Sequence, residues 1–170
     1  MNENLKSAIA NLAIFNISLR SSMIESGEGY NMLNINATTK KPQSFRTIVK
    51  IEAIELVKPD DGSTKLFYSF HYNVGSRLIE SSPKEPTESD EDNDEDDVIV
   101  TIEANFEAIY RAKKELSQEE LEAFAAQNVG YNVWPYWREY LQGTCSRMGI
   151  SPIKVPFYRF NESDIPTSKE

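Results

Sequence analysis

The stretch that most constrains the fold is residues 98–112, where apolar side chains alternate with polar ones. A period of two places the apolar residues on one face of an extended strand, and that face must be covered by other elements. Its members are Val98, Val100, Ile102, Ala104, Phe106, Ala108 and Tyr110. From residue 116 onward the apolar spacing becomes that of a helix. The chain is therefore expected to pass from sheet to helix at about residue 115.

Three earlier stretches also have strand patterns. Residues 8–25 alternate in their second half, and residues 44–58 and about 64–80 flank the turn sequence PDDG, which predicts a hairpin. On the first strand we expect Ile9, Ala13, Phe15, Ile17 and Leu19 to share a face; on the second, Phe45, Val49, Ile51 and Ala53; on the third, Leu66, Tyr68, Phe70, Tyr72, Val74 and Leu78. Residues 27–43 are predicted to form a long loop that carries apolar side chains, which is typical of functional loops.

The helical part begins with a capping box, in which Ser117 is followed three residues later by Glu120. We expect Gly130 and Asn132 to break this helix and Pro135 to lie in the first turn of a second one. Trp134, Trp137, Leu141, Cys145 and Met148 have helical spacing, and an extended tail with three prolines follows. Strands followed by helices predict an α+β fold: a four-stranded antiparallel sheet, a meander, with helices packed on one face.

Charge divides the chain unevenly. The net charge is −9, and residues 85–97 hold nine acidic and no basic residues, while the remaining 18 acidic residues balance 18 basic ones. This balance argues against a nucleic-acid partner. A run so acidic cannot bury apolar area, so we expect one domain over residues 1–170 with a mobile acidic insert at about 81–97 and a flexible tail at about 161–170.

Catalytic and metal-binding patterns are not found in the sequence. His71 is the single histidine and is expected on a solvent-facing side of its strand; Cys145 is the single cysteine and is expected to be buried. Asp90, Asp92 and Asp94 have the spacing of a calcium-loop start, but the sixth position is not glycine and the twelfth is not glutamate. We expect no metal, no cofactor, no enzymatic activity, no membrane insertion and a cytoplasmic location.

Residues 132–160, NVWPYWREYLQGTCSRMGISPIKVPFYRF, contain an aromatic-Pro-Tyr-x-Arg helix start and a later proline-containing segment. In this arrangement, together with four strands upstream, the chain resembles the SecB family of protein-export chaperones. The helix SQEELEAFAAQNVGY and the acidic insert are most similar to those of SecB-like chaperones from toxin–antitoxin–chaperone systems. The detailed match covers about residues 117–160, and the match before them is architectural.

The resemblance implies an ATP-independent holdase that assembles as a homotetramer, a dimer of dimers. Its client would be an unfolded protein, in this subgroup an antitoxin and through it a toxin, and phage defence is a role such a system would have. Residues implied in client binding are Tyr30, Met32, Leu33, Ile35, Tyr131, Trp134, Phe157 and Tyr158. Residues implied in the core or the subunit interface are Trp137, Tyr140, Leu141 and Met148.

Two departures from the family argue against hand-off to the SecA motor. Asn16 and Arg20 align where export chaperones carry acidic residues, so Glu103 is left as the residue that would face SecA, and the chain ends without the usual last helix pattern. A general export chaperone remains the alternative within the class. An oligomeric adaptor that uses the same fold without chaperone activity is the alternative outside it.

Overall fold

A computed structural model describes residues 2–81 and 98–158. The elements run in the order α1 (Glu3–Asn11), β1 (Leu12–Ser26), α2 (Met32–Ala37), β2 (Lys40–Val57), β3 (Thr64–Glu80), β4 (Val98–Ala112), α3 (Gln118–Phe124), a π-helical segment (Ala125–Val129) and α4 (Gly130–Met148). The bounds of β3 and β4 agree with the predicted strands. The acidic run and its calcium-like spacing lie outside the described residues.

The four strands form one antiparallel sheet in the order β1-β4-β3-β2. Strands β2, β3 and β4 are neighbours in sequence and in space, and the hairpin between β2 and β3 turns at Gly62, whose φ of 68° suits glycine. Strand β1 lies beside β4 instead of β2. The prediction of a complete meander was therefore wrong, because residues 27–39 carry the chain across the sheet before β2 begins.

One face of the sheet is covered by the helices and forms the core. Tyr110 of β4 packs edge to face on Phe70 of β3 and on Phe124 of α3, with ring centroids 5.5 and 4.9 Å apart, and Phe70 and Phe124 are tilted to each other at 5.8 Å. Burial raises the pKa of the Tyr110 hydroxyl to about 12, and the Asn132 side-chain amide donates a hydrogen bond of 2.8 Å to its oxygen. Trp137 and Leu141 of α4 complete this layer and are fully buried.

The first strand differs most from its prediction. Residues 3–11 form a helix capped by Asn2, with Leu5 and Ala8 inward, so Ile9 belongs to α1 and not to a strand. Bulges between Ile14 and Asn16 and between Leu19 and Ser21 then shift the alternation. Phe15 consequently packs on Phe67, at 5.2 Å between ring centroids, on the sheet face opposite the helices.

Strand β2 contains a bulge as well, at Val49 between Ile48 and Lys50. An extra residue reverses the alternation of the side chains beyond it. Ile51 and Ala53 therefore share the helix-covered face with Arg46, while Phe45 lies on the opposite face over Gly75. The prediction that Phe45, Ile51 and Ala53 share one face was wrong for this reason.

The helical region is continuous from Gln118 to Met148 instead of broken into two helices. Its capping box is confirmed: Glu120 N–H donates to the Ser117 hydroxyl, and Ser117 N–H donates to the Glu120 carboxylate at 2.7 Å. Gly130 adopts the right-handed helical conformation, so it does not end the helix, and Pro135 lies inside α4. Gly149, with φ of 68°, ends it.

Candidate peptide-binding site

The segment between β1 and β2 is an ordered crossover with a short helix and not an open loop. The Asn31 side chain accepts hydrogen bonds from Leu33 N–H and Asn34 N–H, at 2.9 and 3.3 Å, and starts α2. One turn later Ile35 is 2% exposed and joins the core, whereas Leu33 is 75% exposed. The crossover therefore anchors itself through one side and presents apolar groups on the other.

Two hydrogen-bonded contacts hold the crossover in place. The Tyr30 hydroxyl donates to the Glu80 carboxylate at 2.7 Å, which ties it to the end of β3. The Asn36 side chain donates to the Gly149 carbonyl oxygen and accepts from Ser151 N–H, both at 3.0 Å, which ties α2 to the end of α4. Met32 and Leu33, both exposed, form a surface that we name the α2 patch.

A second apolar feature lies near the start of α4. Arg46 of β2 and three residues of α4, namely Gly130, Tyr131 and Trp134, surround a position that we name the aromatic slot. Tyr158 occupies it. The Tyr158 ring lies 5.5 Å from the Trp134 ring and 6.3 Å from the Tyr131 ring, centroid to centroid.

Residues 150–158, which we name the strap, connect the two features. After Gly149 the chain reverses and runs back along α4, because the α2 contact fixes Ser151 at its end and Trp134 Nε1 donates to the Pro156 carbonyl oxygen, at 3.0 Å, near its start. The 19 residues of α4 span about 27 Å at 1.5 Å per residue. Ile150 and Ile153 are buried, whereas Phe157 is 82% exposed.

Charge at the slot is supplied by arginine. The Arg46 guanidinium carbon lies 4.4 Å from the centroid of the Tyr158 ring and 5.6 Å from that of Trp134, which is cation–π geometry. The Arg138 guanidinium lies 5.4 Å from the Phe157 ring. Guanidinium groups over aromatic faces can hold either this chain's aromatic rings or those of a bound peptide.

The residues predicted for client binding thus form two groups. Tyr131, Trp134 and Tyr158 come together at the aromatic slot, and Phe157 lies beside it on the surface. The second group lies at the far end of the strap and consists of Tyr30, Met32, Leu33 and Ile35. Tyr30 is hydrogen-bonded to Glu80, and Ile35 is buried in the core. Their role in binding stays a prediction, and Met32 and Leu33 are the members of the second group with free apolar surface.

The predicted interface residues also divide. Trp137 and Leu141 are 0% exposed in a single chain, so they are core residues and have no surface for a second subunit. Tyr140 and Met148 are partly buried against the core and retain some surface. Tyr140 stacks on Trp137 at 6.2 Å between ring centroids, which gives it a packing role within the chain.

Three contributors to the slot were not predicted. Arg46 had no predicted role, Gly130 was expected to break the helix, and residues 125–129 were expected to belong to an ordinary helix. A Cβ added at Gly130 would overlap the Tyr158 hydroxyl, so glycine is needed there for close approach. A glycine within the helical region was the available signal, but the sequence does not reveal which side chain approaches it.

The other sheet face carries polar groups. His71 Nε2 lies 2.9 Å from a Glu52 oxygen and 3.4 Å from the Ser69 hydroxyl, and that hydroxyl donates to Glu107 at 2.7 Å. The Ser69 hydroxyl and the Glu52 carboxylate both lie against Nε2 of His71. In a catalytic triad the nucleophile and the carboxylate contact different nitrogens of the histidine ring. The Lys50 ammonium, then His71, holds the pKa of Glu52 below its usual value. This cluster is therefore an ion-pair network without relay geometry.

Glu103 lies on this outer face and lines a cleft of about 390 Å³ together with Met23, Phe45 and Arg77.

Cys145 is buried as predicted, and burial raises the pKa of its thiol. Among the described residues, no group of three or more His, Cys, Asp or Glu side chains is arranged to hold a metal ion. In the same residues, no helix is long and apolar enough to cross a bilayer.

Comparison with known proteins gives a match in structure but not in sequence. No protein-family model and no curated protein sequence match the chain. A solved structure of a SecB-like chaperone from Mycobacterium tuberculosis, in complex with a ChAD peptide from an antitoxin, is similar to it with a TM-score of 0.64. The two chains are 16% identical, and the match covers 93% of this chain and 98% of the other.

The chain has the SecB-like fold. The resemblance drawn from residues 117–160 is confirmed at this level, as is the four-stranded antiparallel sheet with helices on one face. In this chain the α2 patch, the strap and the aromatic slot all lie against α4.

Proposed function

We propose that this chain is an ATP-independent holdase of the cytoplasm that binds apolar segments of an unfolded client, and that the client is the antitoxin of a toxin–antitoxin–chaperone system. The observation that carries the proposal is a track of exposed apolar side chains at both ends of the strap: Met32 and Leu33 at the α2 patch, and Tyr131 and Phe157 beside the aromatic slot. Support also comes from the similar mycobacterial chaperone, which was solved with an antitoxin peptide.

The physical basis is burial of client side chains on an adaptable surface. Leu33, Tyr131 and Phe157 are 75%, 60% and 82% exposed, so their apolar surface is available to a client. Covering one such side chain contributes roughly 1.5–3 kcal/mol, so several weak contacts along a track of about 27 Å give useful affinity. Methionine and aromatic rings tolerate varied partners because they need no strict geometry.

We further propose that the chain works as a homotetramer, a dimer of dimers. Strand β1 is an edge of the sheet, and Ile14, Leu19 and Ile24 on its helix-side face are each 44 to 53% exposed. An open edge with apolar side chains is a template for pairing with another chain. A second copy that pairs there would cover both the backbone groups and these side chains.

The outer face supports the antitoxin role over export. Arg20 lies 3.3 Å from Glu107 and neutralises an acidic group that a basic motor surface would otherwise meet. Glu103 alone is weak support for SecA hand-off. A pull-down with SecA separates the two roles, since tight binding would favour a general export chaperone.

Co-expression tests the proposed role. The chain would be produced together with the small protein encoded next to its gene, and the soluble fraction of that protein would be measured with and without the chain. We expect solubilisation and co-purification, and weaker co-purification for Leu33→Ser. If no neighbouring product is solubilised while the chain itself is folded, the antitoxin role is wrong.

A further inference from the structure

The aromatic slot is filled by the protein's own chain. Tyr158 enters it from the strap, with Arg46 over one face of the ring and Trp134 against it. Its hydroxyl reaches the backbone of Gly130, where no Cβ interferes. A flat ring, a cation over its face and a glycine floor together form a receptor for one aromatic side chain.

The slot is built at some cost to the helix. The five residues Ala125–Val129 form a π-helix, which is rare and occurs most often at functional sites. Gly130 follows directly, and glycine within a helix costs roughly 1 kcal/mol relative to alanine. Both departures from regular helix lie beside the ring of Tyr158, so the local sequence favours an open slot over helix stability.

The strap is less deeply buried at Tyr158 than at Ile150 and Ile153. Ile150 and Ile153 are at most 5% exposed and hold the first half in the core, whereas Pro156 and Phe157 face solvent. Residues 151–158 pair with no strand in the described part of the chain. The hydrogen bond from Trp134 Nε1 to the Pro156 carbonyl oxygen and the ring contacts of Tyr158 hold the last three residues. Release has to break these contacts, but it can leave Ile153 buried in the core.

We propose that Tyr158 is a built-in occupant of the aromatic slot, a latch that a client displaces with an aromatic side chain of its own. This inference rests on the proposed chaperone function and adds to it a form of regulation. The latch covers the slot when no client is present, which limits self-association through an exposed aromatic pocket. It also sets a threshold, because a segment without an aromatic ring does not displace Tyr158.

Peptide binding tests the latch. Two fluorescein-labelled 15-residue peptides of Leu, Ser and Lys would be used, identical except that one has a central tyrosine and the other alanine. If the slot is open in only a fraction of the molecules, the apparent dissociation constant equals the intrinsic one divided by that fraction. If the slot is open about one-tenth of the time, Tyr158→Ala binds the tyrosine peptide about 10-fold tighter than the unsubstituted chain does.

Matched variants make the outcome unambiguous. Tyr158→Phe keeps the ring and is expected to bind like the unsubstituted chain. Tyr158→Leu serves as a second opened variant if circular dichroism shows that the alanine variant is not folded. Equal or weaker binding by the opened variants would overturn the latch, because Tyr158 would then be a contact for the client or a plain packing residue. Binding of neither peptide by any variant would instead refute the chaperone function and the latch together.

Discussion

Replacement of Leu33 by serine is the substitution that tests the α2 patch most cleanly. Leu33 is 75% exposed in the free chain, so its removal leaves no cavity. Full burial of a leucine side chain contributes roughly 1.5–3 kcal/mol, and three-quarters of that is about 1–2 kcal/mol if a client covers the residue. We therefore expect the dissociation constant for an unfolded client to rise about 5- to 30-fold.

The assay is fluorescence anisotropy with a labelled, permanently unfolded client, combined with urea unfolding of each variant. The free energy of unfolding should change by less than about 0.5 kcal/mol, as is usual for exposed positions. Val57→Ser is the matched control, because Val57 is 65% exposed at the opposite end of β2, far from α2. Unchanged affinity in Leu33→Ser, or an equal loss in Val57→Ser, would refute the assignment of binding to this patch.

Three further outcomes are expected. Ile24→Lys places a charge on the open β1 edge, and light scattering coupled to size exclusion should show a smaller assembly than the unsubstituted chain forms; an unchanged mass would argue against pairing through β1. The pKa of Tyr110 is raised to about 12 from 10 by burial, so the unfolded state loses its proton first, and stability should fall by about 1.4 kcal/mol per pH unit between pH 10 and 12. In Tyr110→Phe the free energy of unfolding should fall less steeply with pH in that range. Equal slopes in the two proteins would contradict the burial argument. Ile153→Ala should lower the free energy of unfolding by roughly 2–4 kcal/mol, because Ile153 is 4% exposed in the core, and a loss below about 1 kcal/mol would mean that the strap is not anchored there.

Periodicity was sufficient for the elements in which every residue obeys one spacing. Strands β3 and β4 agree with prediction over residues 68–78 and 100–110, where every second residue lies buried under the helices. The start of α3 agrees because Ser117 and Glu120 cap the helix locally. Strand β1 contains two bulges and β2 one, and each inserted residue reverses the faces beyond it. Bulges depend on pairing with the neighbouring strand, which a single sequence does not display.

The site was predictable in its residue types but not in their roles. Aromatic and methionine side chains at the crossover and near α4 were recognised as candidates. The sequence could not show that Tyr158 enters a slot from the strap, since contacts such as that between Arg46 and Tyr158 join residues 112 positions apart. The sequence also could not show that Ile35 is buried in the core and that Tyr30 is hydrogen-bonded to Glu80, because both contacts depend on how α2 packs against the rest of the chain.

The most direct test of the account is whether the chain keeps an unfolded protein soluble without nucleotide. A chemically unfolded client would be diluted into buffer with increasing amounts of the chain, and light scattering would be followed with and without ATP. We expect scattering to fall in proportion to the added chain, to level off at a fixed stoichiometry, and to be unaffected by ATP. Scattering equal to that with the same mass of serum albumin would contradict the holdase function.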